Sequence, residues 1–303
     1  MAGATDQGDE FRFLEGDARR VGRDGPLPEV RRVRAAVGDG RTLSALGFEP
    51  ARAPRYAFLH GMGLNAHGFD PVVLALDAPA ISLDLPGHGL SDWRADADYS
   101  PDLLAPDVLT ALDEFAPEAF TLVGHSLGGI TAALAAPTLR DRLTGLVLVD
   151  ITPGIRPQRD AASISDFISG RREFDTLEQM VDRAVEYGIG EDRAALARGV
   201  ALNTRRRPDG KWEWAHHFAH MPTAPDQSFG EGAPFAPVWQ PLEALRAAGV
   251  PLSLIRAQAG ILDDELVAEW RDRLPGSRAI SIAGPHNLHE AAPAELARAL
   301  REL

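Results

Sequence analysis

The run Phe120-Thr121-Leu122-Val123-Gly124-His125-Ser126-Leu127-Gly128-Gly129, continued by Ile130-Thr131-Ala132-Ala133-Leu134-Ala135-Ala136, constrains this chain more than any other stretch. Its first six residues are apolar and β-branched in the manner of a short buried strand. The Ala/Leu-rich continuation predicts a helix that stops before Pro137. Between them lies Gly124-x-Ser126-x-Gly128, a sharp strand-to-helix turn that holds Ser126 in a strained backbone conformation and projects its oxygen off the sheet. Gly124 and Gly128 flank the serine because a Cβ at either place would clash where strand and helix pass closely. The N–H groups opening the helix point toward Ser126 and favour a developing oxyanion.

The chain around this turn reads as alternating strands and helices. Val30–Val37 and Leu43–Phe48, separated by Gly38-Asp39-Gly40, predict a hairpin. Tyr56–Leu59, Ala80–Leu85, Leu143–Asp150, Pro251–Ala257 and Ala279–Ala283 are further strands. Helical spacing falls at Leu103–Phe115, Leu242–Ala248, Asp263–Leu274 and Pro293–Leu303. Near-continuous apolar strands alternating with helices imply a mostly parallel sheet covered on both faces, an α/β fold. Residues 1–27 read as a loose lead-in. From Ile151 to about Gln240 the alternation breaks and no buried-strand signal appears. Amphipathic pieces at Ile164–Ile168, Leu177–Tyr187 and Ala194–Leu202 suggest a small helical subdomain there. Its place after a strand's C-terminal end puts it over the sheet edge where ligands bind, as a lid. The expected division is a core of 1–150 and 241–303 with a helical lid of 151–240.

Composition narrows the chemistry. A net charge of −13 argues against nucleic acid and anionic membranes as partners. The absence of cysteine excludes disulfides, thiolate catalysis and Cys-based metal sites. Lys211, the lone lysine, leaves almost no candidate for Schiff-base chemistry. The polar, acidic Met1–Glu10 is unlike a secretory signal and no apolar run is long enough to span a bilayer, so a cytoplasmic protein is expected.

A serine hydroxyl needs a base to become nucleophilic, and histidine is the usual one near neutral pH. His286 follows the last strand in Gly284-Pro285-His286-Asn287, a loop leading into the closing helix, with His289 as the alternative. His125 sits beside the serine. His60 precedes the Gly-rich Gly61-Met62-Gly63 and is read as shaping that loop. His88 looks structural, and His67, His216, His217 and His220 could reach a substrate. Asp84 reads as a turn-former for the Gly-rich loop that follows it.

His60-Gly61-Met62-Gly63, Asp84-Leu85-Pro86-Gly87-His88-Gly89-Leu90-Ser91, Gly124-His125-Ser126-Leu127-Gly128-Gly129 and Gly284-x-His286 come in an order and spacing that resembles the α/β-hydrolase fold over nearly the whole chain. The resemblance implies an eight-stranded-type, mostly parallel sheet and a serine hydrolase acting on a carboxylic ester or related acyl bond, without metal or cofactor. C–C bond, lactone or amide hydrolysis, and a non-catalytic ligand-binding role, are the alternatives. It maps nucleophile and base onto Ser126 and His286, and the oxyanion donors onto the backbone N–H groups of Leu127 and Met62. The acid departs from the family's commonest form: the expected position falls on or near Gly260, where no carboxylate stands. Asp150, after the preceding strand, is the favoured acid, with Asp263 and then Asp264 behind it. The latter two also read as the cap and first turn of a helix. His60, Gly61, His125, Trp212 and Trp214 are the residues expected at the substrate, a small ester-like molecule. The sequence does not settle the oligomeric state.

Overall fold

The computed structural model describes residues 10–169, 172–190, 192–221 and 232–303. The others, 1–9 of the expected lead-in and 170, 171, 191 and 222–231 of the expected lid, lie outside the described residues. The chain begins with α1 (Leu14–Arg20), the hairpin β1 (Val30–Ala36) and β2 (Thr42–Phe48), then β3 (Tyr56–Leu59), α2 (Asp70–Leu76) and β4 (Ala80–Leu83). It continues through α3 (Pro101–Phe115), β5 (Phe120–His125), α4 (Leu127–Leu139) and β6 (Leu143–Val149). An insert follows: α5 (Pro157–Asp160), α6 (Ala162–Ser169), β7 (Glu173–Phe174), α7 (Leu177–Glu186), α8 (Arg193–Asn203), β8 (Thr204–Arg206) and β9 (Trp212–Trp214). The chain returns through α9 (Trp239–Ala247), β10 (Leu252–Ala259), α10 (Asp264–Arg273), β11 (Arg278–Pro285), α11 (Leu288–Ala291) and α12 (Pro293–Arg301).

Eight strands form one sheet in the order β1-β2-β4-β3-β5-β6-β10-β11. The six from β4 to β11 are parallel, while β2 runs antiparallel to both β4 and β1. Strands β3 to β6 carry buried side chains along almost their whole length, which is why they read as continuous apolar runs. One apolar cluster joins a sheet face to α3, α4, α9 and α10, and a second joins the other face to α1, α2 and α12. The result is the expected α/β sandwich, with the C-terminal ends of the parallel strands along one edge. Among the described residues, no helix is long and apolar enough to cross a membrane.

Three sequence expectations need correction. Helix α4 does not stop before Pro137 but runs on to Leu139. Burial of Ala135, Ala136 and Leu139 in the core outweighs the one backbone bond that a proline forfeits. The lead-in contains α1, whose Leu14 and Ala18 are buried in the second cluster and whose Asp17 pairs with Arg198, a partner 181 residues away that no local pattern reveals. The insert is not purely helical: β7, β9 and β8 form a three-stranded antiparallel sheet. Strands of two or three residues are too short to show a period in sequence.

Candidate active site

Ser126 sits between β5 and α4 at φ 51°, ψ −121°, a conformation that non-glycine residues rarely adopt. The flanking glycines make it possible. A Cβ on Gly124 would fall 2.4 Å from the Gly128 carbonyl oxygen, and one on Gly128 would fall 2.3 Å from that of Leu59. Strand and helix are thus in backbone contact, and the serine is forced outward at the sheet's edge.

The loop after β3 approaches from the neighbouring strand. A Cβ on Gly61 would lie 3.2 Å from that of Ser126 and 2.7 Å from His125 Nδ1, so only glycine fits there. Two buried imidazoles hold this loop. His60 donates from Nδ1 to the Gly61 carbonyl (2.8 Å) and accepts at Nε2 from the Leu85 amide (3.0 Å). His88 donates from Nδ1 to the Pro86 carbonyl (3.0 Å) and accepts at Nε2 from the Gly63 amide (3.1 Å). Burial lowers their pKa values to about 4 and about 3, so both stay neutral as these bonds require. Asp84 supports the adjacent turn, accepting from the amides of Leu90 and Ala66 and pairing with Arg32 at 2.7 Å.

His286 follows β11, and its Nδ1 lies 2.8 Å from Asp150 Oδ2. A carboxylate only accepts, so His286 donates from Nδ1 and turns Nε2 away from Asp150. Asp150 directly follows β6 at φ 49°, a left-handed conformation that aspartate tolerates better than most residues. It is fully buried, and its oxygens also accept from the amides of Ala257 and Ile261, each at 2.9 Å. A Cβ on Gly260 would stand 2.0 Å from Asp150 Oδ2. The carboxylate of Asp150 therefore occupies the space into which a side chain at 260 would grow, and steric exclusion explains the acid-free position after β10. Asp263 is the N-cap of α10, accepting from the Leu266 amide (2.9 Å) and pairing with Arg159 (2.7 Å). Asp264 pairs with Arg256.

Ser126 and His286 line one cavity of about 200 Å³ between the sheet edge and the insert. Gly61, Met62, His125, Trp214 and His216 line it too. His125 donates from Nε2 to the His286 carbonyl (3.1 Å), tying the residue beside the serine to the loop that carries His286. Burial, with the nearby His286 and His289 rings, holds its pKa well below the usual value. His60 and Trp212, expected at the substrate, are not among the lining residues. His60 spends both nitrogens on the loop, and Trp212, two residues before Trp214 on β9, packs against the insert's own apolar cluster. His67, His217, His220 and the alternative base His289 also stand outside the lining, the last fully buried behind His125. Leu127 opens α4, where the first N–H groups have no intrahelical acceptor. Sequence reasoning does not single out Glu290, Asn287 or Asn203, which also line the cavity. An acidic residue four positions after His286, next to Ala291 and Ala292, is the available signal for Glu290. Among the described residues, no group of three or more His, Asp or Glu side chains is arranged to hold a metal ion.

The sequence pattern of the alpha/beta hydrolase family matches residues 57–299. The chain belongs to that family. This hydrolase is 38% identical over 281 residues to esterase Rv0045c of Mycobacterium tuberculosis, covering 90% of this chain and 88% of the relative. A solved structure of the M. tuberculosis esterase superposes with a TM-score of 0.82 at 36% identity over 98% of both chains. A shorter match, 30% identical over 131 residues, covers 43% of this chain and 47% of 2-(acetamidomethylene)succinate hydrolase from Mesorhizobium japonicum. The structure of an E-2-(acetamidomethylene)succinate hydrolase shares the fold at a TM-score of 0.76 and 21% identity, over 90% of this chain and 98% of that one.

Proposed function

We propose that this hydrolase cleaves a small carboxylic ester through an acyl-enzyme on Ser126, with His286 as base and Asp150 as its orienting acid. The observation that carries the reading is the 2.8 Å contact between His286 Nδ1 and Asp150 Oδ2 beside a cavity that Ser126 shares. The 38% identity to a named esterase supports the ester as the bond cleaved.

In the reaction, Ser126 Oγ attacks the ester carbonyl carbon as its proton passes to His286 Nε2. The carbonyl oxygen becomes an oxyanion, received by the backbone N–H groups of Leu127 and Met62. Asp150 holds the Nδ1–H tautomer and stabilises the imidazolium. Collapse breaks the bond to the alcohol oxygen, which takes the proton from His286. Water then attacks the acyl-enzyme by the same route, releasing the acid and restoring Ser126. Residues 1–150 and 241–303 act as the catalytic body, and 151–240 as a lid that closes the cavity from above. The net charge of −13 argues against nucleic-acid partners.

The test is a panel of small esters with wild type and Ser126→Ala. Turnover by wild type, reduced at least about 10³-fold in the variant, is the expected result. Turnover that survives the substitution would refute the nucleophile, and hydrolysis of lactones or amides but no ester would refute the bond type.

A further inference from the structure

Glu290, on α11, is a buried acid that the reaction above does not use. The residue is 7% exposed, lines the cavity that holds Ser126, and has an Oε1 with no hydrogen-bond partner among the described residues. The two arginines whose charge reaches it are engaged elsewhere. Arg198 pairs with Asp17 (2.7 Å) and Asp70 (3.2 Å), and Arg20 donates to the backbone carbonyl of Glu290 (2.6 Å), not to its carboxyl. Space has been left for the carboxyl group: a Cβ on Gly199 of α8 would fall 2.7 Å from Oε1. Among the residues that line the same cavity, His216 Nδ1 and Trp214 Nε1 are also buried without partners among the described residues. An unpaired buried polar group costs stability, and one that lines a cavity is placed to take its partner from what enters that cavity.

Resting on the ester-hydrolase reading, we propose that Glu290 is a specificity-determining residue whose carboxyl pairs with a hydroxyl group carried by the substrate away from the scissile ester. A hydroxyl both donates and accepts. Burial raises the pKa of Glu290, which favours the protonated carboxyl that can also do both. A site built to pair a hydroxyl discriminates against the alkyl analogue, because that analogue leaves the buried group unpaired.

The experiment compares kcat/KM for ω-hydroxyacyl methyl esters and their alkyl isosteres over a ladder of chain lengths, in wild type, Glu290→Leu and Glu290→Gln. Wild type is expected to prefer the hydroxy ester by about tenfold or more at one length. Glu290→Leu should bring that ratio to about one or below, whereas Glu290→Gln, which can still pair a hydroxyl, should keep most of it. No preference in wild type, an unchanged ratio in the Leu variant, or equal loss in the Gln variant would overturn the proposal. If Glu290→Leu does not fold, Gly199→Ala decides. Its added methyl displaces the carboxyl, so a lost preference supports the assignment and an intact one overturns it. Absence of Ser126-dependent turnover on every ester, hydroxylated or not, would instead overturn the parent reading and this one with it.

Discussion

Asp150 accepts from three donors at once: the imidazole of His286 and the amides of Ala257 and Ile261. An asparagine in its place must turn an NH₂ toward one of these donors. Asp150→Asn is therefore expected to lower kcat about 10⁴-fold and to cost about 1–3 kcal/mol of stability, read from steady-state kinetics and denaturant unfolding. Asp263→Asn, the control, should leave kcat unchanged, because Asp263 caps α10 and asparagine caps equally well. Gly260→Ala tests the steric argument. Its methyl would press on Asp150 Oδ2, and kcat should fall without any change in a catalytic side chain.

Helix α8 shows what joins the insert to the body of the molecule. Arg198 reaches Asp17 on α1 and Asp70 on α2, and also donates to the His67 carbonyl (3.0 Å). His67 extends the network to Asp70 (2.7 Å) and Glu10 (3.3 Å). Burial alone would lower its pKa, but these carboxylates raise it to about 9. A histidine whose folded pKa lies above its unfolded value stabilises the fold fully below about 6.5, and that contribution is lost as pH rises through about 9. The melting temperature should therefore fall between neutral pH and pH of about 10 more steeply in wild type than in His67→Gln. Little of this network is legible in the sequence: His67 and Asp70 are three positions apart, but Glu10, Asp17 and Arg198 join them from far along the chain.

Across the whole molecule, legibility follows from how far apart the causes lie. The central parallel strands β3 to β6 are legible because they are buried on both faces and so are apolar along almost their whole length. The turn at Ser126 is legible because Gly124 answers to a contact between a strand and the helix directly after it, although Gly128 answers to the end of the neighbouring strand. The carboxylate beside His286 is harder. Asp150 and His286 meet across 136 positions, and the reason no acid stands at 260 is visible only once both loops are in place. The three short strands of the insert carry too few residues to declare themselves. Net charge acts at this scale as well. At −13 the protein should repel anionic esters, so kcat/KM for a carboxylate-bearing ester should rise with ionic strength while that for a neutral ester stays level.

The most direct measurement is the intact and peptide mass of the protein after reaction with a small organophosphonate ester. One adduct per chain, located on Ser126, absent in Ser126→Ala and formed much more slowly in His286→Ala, is the expected result. An adduct on another residue, or labelling of Ser126 at the same rate without His286, would contradict the account.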